Sequence, residues 1–194
     1  MRNTLFFAAS LLLFAVASCK DKEKSIYEGC CGTEITKDDF FITIPLYDAH
    51  NNLVDSTIKA KVYIPNLITN DNDGDNDIFM VFGGPYVISK VISIDCSDKD
   101  GALLFHKENF LPNDPGNGWD GIKPNGMVYQ GSFNYEVKVE FVDGQVKTYI
   151  GKSCAFSCNA EGFPIDNLQD CFVPAQHDGN GGVDPSLQFP TECF

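Results

Sequence analysis

Asp71, Asp73, Asp75 and Asp77 alternate with Asn72, Gly74 and Asn76, placing four carboxylates within seven residues. Carboxylates this close repel one another, and a hard cation such as Ca²⁺, with about six to eight oxygen ligands, relieves that repulsion. The match to an EF-hand loop is partial. With Gly74 as its sixth residue, Thr69 would stand at the first ligand position and Met80 at the twelfth, where a bidentate Glu belongs. Asn, Asp and Gly are equally the builders of solvated turns, because they tolerate positive φ and hydrogen-bond their own backbone. The stretch therefore reads either as a calcium site on Asp71, Asp73, Asp75 and Asp77 or as a turn without an ion. A second stretch, Asp178-Gly179-Asn180-Gly181-Gly182-Val183-Asp184, carries fewer acids and reads as a loop.

The chain has eight cysteines. Cys19 ends the motif Val16-Ala17-Ser18-Cys19, which resembles a bacterial lipobox, in which cleavage before the cysteine leaves its sulfur to carry diacylglycerol. Arg2 and the apolar run 5–17 precede it in the pattern of a secretory signal, and the run is shorter than the ~20 residues a membrane-spanning helix needs. An ordinary signal peptide would also explain the run. The hydrophilic Lys20-Asp21-Lys22-Glu23-Lys24-Ser25 that follows, however, has the character of a tether between lipid and domain. Export puts Cys30, Cys31, Cys96, Cys154, Cys158, Cys171 and Cys193 in an oxidising compartment, where structural disulfides are the expected state. Their number is odd, so at least one is unpaired or bonded to another chain. Cys154-x-x-x-Cys158 has a spacing zinc could use, but no second close pair accompanies it. Adjacent Cys30 and Cys31 are predicted to bond different partners, because a vicinal bridge is strained.

Trp119 is the only tryptophan and sits in Gly118-Trp119-Asp120-Gly121 after a loop rich in Pro, Asn and Gly. Such a residue is either a binding platform on which a sugar ring stacks or a plug in the core. Its neighbour Asp120 suits an Asx turn. No pattern points to catalysis: His50, His106 and His177 fall in or beside turn-like segments, and neither Gly-x-Ser-x-Gly nor His-Glu-x-x-His occurs. With the thiols oxidised, a Cys-His nucleophile is disfavoured. The expectation is a protein that is not an enzyme. With 14 Lys and Arg against 27 Asp and Glu, its formal charge of −13 makes nucleic acid and bare anionic lipid poor partners.

These residues need a scaffold, and 194 residues with 43% hydrophobic content are enough for one packed domain. Residues 40–46 are β-rich, Asp48-Ala49-His50-Asn51-Asn52 is a turn cluster, and Ile58, Ala60, Val62 and Ile64 alternate with more polar neighbours. Residues 78–82 and 87–94 are further strand candidates, separated by Gly83-Gly84-Pro85, and 102–105 is a short one. The clearest element is a hairpin. Phe133, Tyr135, Val137, Val139 and Phe141 alternate with polar residues, Asp143-Gly144 suits a type I′ turn, and Val146, Thr148 and Ile150 return. About seven strands in this length predict an all-β, Ig-like antiparallel sandwich. The organisation expected is a lipoprotein signal peptide over 1–18, a lipidated tether over 19–37, the sandwich over 38–152, and a loop-rich, disulfide-stapled appendage over 153–194.

The stretch Ile64-Pro65-Asn66-Leu67-Ile68-Thr69-Asn70-Asp71-Asn72-Asp73-Gly74-Asp75-Asn76-Asp77-Ile78-Phe79 resembles the opening signature of the gliding motility-associated C-terminal domain. Leu103-Leu104-Phe105, Trp119-Asp120-Gly121 and the aromatic strand 133–141 follow in that family's order, so the resemblance covers roughly 60–152. It implies a β-sandwich of Bacteroidota that serves in large secreted proteins as a type B sorting signal for the type IX secretion system. Asp98-Lys99-Asp100-Gly101 stands where the family usually has Asn-Arg-Trp-Gly, and a cysteine-bearing segment follows the matched region. The reading that results is an outer-membrane or cell-surface lipoprotein, membrane-bound through its lipid, whose sandwich recognises a surface protein or a secretion or gliding component. The alternative is a calcium-dependent carbohydrate-binding surface protein that uses Trp119.

Overall fold

The computed structural model describes residues 26–31, 40–157 and 170–187. Nine strands follow in chain order among them: β1 (Phe40–Tyr47), β2 (Leu53–Ala60), β3 (Val62–Tyr63), β4 (Leu67–Thr69), β5 (Phe82–Gly83), β6 (Ile88–Ser97), β7 (Leu103–Phe110), β8 (Gly131–Phe141) and β9 (Val146–Phe156). The described helical pieces are short 3-10 turns at Pro115–Asn117 and Pro174–Gln176. No helix among the described residues is long and apolar enough to cross a membrane.

The period-two pattern of β8 places Phe133, Tyr135, Val137, Val139 and Phe141 in the core and leaves Glu136 and Lys138 in solvent. Around it forms a five-stranded sheet in the order β4-β9-β8-β6-β7. The β1–β2 hairpin and the β3–β5 pair supply the opposing layer. Ile42, Ala60, Val62 and Ile64 from that layer share one buried cluster with Val91, Ile94, Val137 and Val139 from the sheet. The chain is therefore an all-β sandwich.

Its sheet is not wholly antiparallel as expected. β4 pairs β9 in parallel, with Leu67 opposite Cys154 and Thr69 opposite Phe156. A parallel partner needs a crossover of about a dozen or more residues, and everything from β5 to β8 lies between these two strands. At this edge both faces of the sheet are covered. Ile68 and Ala155 face the main core, while Leu67, Cys154 and Phe156 join Tyr27, Cys31, Cys171 and Val173 in a second cluster. This double burial explains the unbroken apolar run Cys154-Ala155-Phe156, which reads as continuous where a half-buried strand would alternate. β9 thus runs past the boundary expected at 152.

Two other expectations change. The segment 78–82 is not one strand, and only Phe82 enters β5: the Phe79 backbone exchanges hydrogen bonds with Trp119 (2.8 and 2.9 Å), and the Val81 carbonyl accepts the Asn113 N–H at 3.0 Å. The β8–β9 connection is not a type I′ turn, since of Asp143 and Gly144 only the glycine has positive φ (85°). The connection instead spans 142–145, with the Phe141 N–H donating to the Gln145 carbonyl at 2.8 Å. Loops of this length place a glycine at the single left-handed position.

Candidate functional site

The acidic stretch leaves the end of β4 and is tied closed at its neck. The Thr69 N–H donates to the Asn76 carbonyl at 3.0 Å, and Thr69 Oγ1 donates to the Asp75 carbonyl at 3.2 Å. Within the loop, carboxylates accept backbone N–H groups: Asp71 from Asp73 (3.4 Å), Asp73 from Asp75 (2.8 Å), and Asp77 from both Asn72 (3.0 Å) and Gly74 (2.9 Å). Asn72, Gly74 and Asn76 take positive φ to let the backbone coil this tightly. Asn and Gly are the residues that do so at least cost.

The coiling turns three of the four carboxylates toward one another. Asp71, Asp73 and Asp77 each offer an oxygen, and these oxygens lie within 4.8 Å of one another. Oxygens bound at 2.3–2.6 Å to one calcium stand no more than about 5.2 Å apart, so the spacing fits a shared cation. Asp75 is not in this group; its carbonyl serves the neck and its side chain is exposed. Burial, reinforced by the negative charges of Asp73 and Asp77, pushes the Asp71 carboxyl above its ordinary pKa. The three acids could thus hold a metal ion, with Asp75 as a correction to the set read from sequence.

Trp119 is the second correction. It is 1% exposed, stands edge-on to Phe133 at 4.9 Å, and donates from Nε1 to the Ile122 carbonyl at 2.8 Å. A ring in that position plugs the core and offers no stacking platform. Asp120 forms an Asx turn, accepting the Ile122 N–H at 3.0 Å.

Of the cysteines, Cys30 bonds Cys154 and Cys31 bonds Cys171, so the adjacent pair reaches two different partners. Cys154 is therefore a disulfide half rather than a zinc ligand. Cys96, read as a disulfide candidate, is an unbonded thiol buried in the main core. It stands on β6 opposite Phe105 of β7 and Tyr135 of β8, so β8 separates its strand from β9 and the Cys154 bridge. Cys19, Cys158 and Cys193 lie outside the described residues.

The sequence reading did not foresee what the Asn residues do. Asn76 is buried, and its Oδ1 accepts the Ala175 N–H at 2.8 Å, so the acidic loop touches the C-terminal segment directly. Asn66 clamps the same segment, accepting from the Phe172 N–H at 2.7 Å and donating to the Asp170 carbonyl at 2.8 Å. For Asn66 the signal available was its polarity inside an apolar run, Ile64-Pro65-Asn66-Leu67-Ile68, where a polar side chain must find a buried partner; Asn76, between Asp75 and Asp77, carried no such signal.

No protein-family model matches the chain, and no curated protein matches it. Among solved structures it is similar to CopC from Methylosinus trichosporium OB3b, at 14% identity and a TM-score of 0.34, over 54% of this chain and 99% of that one.

Proposed function

We propose that the protein is a non-enzymatic lipoprotein of the outer membrane or cell surface, anchored through a diacylglycerol on Cys19, whose β-sandwich recognises another envelope protein and is clasped by calcium at Asp71, Asp73 and Asp77. The observation that carries the calcium clasp is the convergence of three carboxylate oxygens within 4.8 Å in a loop that also holds the C-terminal segment. The motif resemblance supports a recognition module connected with type IX secretion or gliding. The carbohydrate alternative loses its motivating feature, because Trp119 is in the core.

The test is a calcium titration of residues 26–194 followed by thermal unfolding. Ligand at about a hundred times its Kd adds about 2.7 kcal/mol, which for a domain of this size is a midpoint rise of roughly 5–10 °C. The rise is expected in wild type and in Asp75→Ala, and is expected to vanish in Asp73→Ala and Asp77→Ala. A wild-type midpoint indifferent to calcium would leave the loop as a solvated turn. Anchoring is tested separately: Cys19→Ala should move the full-length protein from the detergent phase to the aqueous phase, and unchanged partitioning would refute the lipid anchor.

A further inference from the structure

Residues 170–187 lie along β3, β4 and β5 through two kinds of contact. The first half is held by groups that do not titrate near neutral pH. Asn66 clamps Asp170 and Phe172, the Asn66 and Leu67 N–H groups reach the Phe172 carbonyl at 3.0 and 3.2 Å, and Cys171 is bonded to Cys31. The second half turns on His177. Its ring is parallel to that of Tyr63 (6.2 Å, 6°) and lies 4.6 Å from that of Phe82.

Nε2 of His177 accepts the backbone N–H of Gly181 at 3.0 Å. A backbone N–H can only donate, so this nitrogen carries no proton and the ring is the neutral Nδ1–H tautomer. The bond seats Gly181 where a Cβ would collide with the Lys61 carbonyl and the Gly84 amide, both in the β3–β5 layer. His177 also bridges to Val183, closing a small loop over 178–182.

The groups around the imidazole do little to welcome a second proton. Asp178 lies alongside, but its carboxylate is engaged by the N–H groups of Asn180 (2.7 Å) and Gly182 (2.8 Å), and Lys61 faces it. From β3, the Tyr63 hydroxyl donates to the Val173 carbonyl at 2.6 Å, and burial holds it far above its ordinary range. From β5, Phe82 offers only its ring. Aromatic faces favour a cation modestly. Burial is the larger influence and lowers the His177 pKa, with Asp178 opposing.

We infer that His177 is a proton-operated latch: protonating Nε2 sets N–H against N–H, expels the Gly181 amide, and frees residues 178–183 from β3 and β5 while the Asn66 clamp and the Cys31–Cys171 bridge retain 170–176. The sign follows from linkage. A histidine held neutral in the folded state contributes in full above its unfolded pKa of about 6.5, and that contribution is lost as pH falls from there toward the lowered folded value.

Hydrogen exchange on the full chain, corrected for intrinsic rates, reads the latch at about pH 7.5 and about pH 5, either side of the histidine range. In wild type, peptides covering 178–187 should lose protection several-fold at the lower pH while β8 peptides do not. His177→Gln keeps an acceptor that cannot titrate and should hold its protection at both values. His177→Phe keeps a ring without the acceptor and should be equally unprotected at both. Asp178→Asn should retain the wild-type response. Equal protection of the wild-type segment at the two pH values overturns the latch, as does an undiminished acid response in His177→Gln or His177→Phe.

Discussion

Asp71, Asp73 and Asp77 each accept backbone N–H groups and each bring an oxygen within 4.8 Å of the others, so the loop is built before any ion arrives. The cost of that arrangement falls on Asp71, whose carboxyl is raised by burial and by its two acidic neighbours. A carboxyl raised above the ordinary value of about 3.9 contributes stability that is present at lower pH and is lost as pH rises through the folded pKa. A cation offsets that loss. The calcium-induced midpoint rise should therefore be largest near neutral pH and fade as Asp71 takes up its proton on acidification, which repeating the titration at descending pH will measure. Asp71→Asn should make the ion-free protein more stable while weakening the calcium response. Cys96 is a residue of the opposite kind, with burial foremost and then the Asp95 charge keeping its thiol protonated. A thiolate is the reactive form. Alkylation of the native protein followed by peptide mapping should find Cys96 unmodified, and denaturation should expose it.

Among the elements, the β1–β2 hairpin is joined to the β8–β9 turn by side chains. Asp143 accepts the Thr43 N–H at 3.2 Å, and Gln145 Nε2 donates to the Phe41 carbonyl at 3.2 Å. These contacts show that odd-numbered residues of β1 turn their backbone groups away from β2. Pro45 falls in the same set, so its missing N–H lies on the open edge and blunts that edge against further strand pairing. Trp119 holds the loop between β7 and β8 in the core, locked by two backbone bonds to Phe79 and by its Nε1 bond. Trp119→Ala should cost roughly 3–5 kcal/mol, with Trp119→Phe costing less, as chemical denaturation can quantify. The wild-type indole fluorescence should resist acrylamide quenching in the folded protein and become quenchable on unfolding.

At the scale of the whole molecule, the turn at 26–31 is the junction. Cys30 carries it to β9 across a sequence separation of 124, and Cys31 carries it to the C-terminal segment across 140. The Ser132 N–H adds a bond to the Ile26 carbonyl at 3.0 Å, and Tyr27 stacks edge-on against Phe156. Among the described residues, the two disulfides thus tie both β9 and the C-terminal segment to this turn. Closing loops of this length restrains the unfolded chain strongly, and Cys31→Ser with Cys171→Ser together should cost about 2–5 kcal/mol, read as a lower unfolding midpoint. The same double variant should loosen the second buried cluster, since Leu67, Phe156 and Val173 would lose the bridge that seals them. In the lipoprotein reading, this junction lies within the segment 19–37 expected as the tether, so any pull on the anchor would reach β9 through Cys30.

The sequence by itself determined the all-β class, because alternation in residues such as 133–141 sorts side chains to two faces without reference to anything distant. It determined likewise that Cys30 and Cys31 take separate partners, since the strain of a vicinal bridge is local. Four carboxylates were legible as a cluster, but which of them converge was not. Side-chain direction depends on the positive φ values at Asn72, Gly74 and Asn76, and the Thr69 neck sets the coil that contains them. Trp119 had two readings of equal local form, and its burial was decided by Phe133, a strand away. The parallel β4–β9 pair, the isolation of Cys96 and the seat of Gly181 beneath His177 were decided in the same way. Each depends on contacts between residues far apart in the chain, and local spacing carries no record of those contacts.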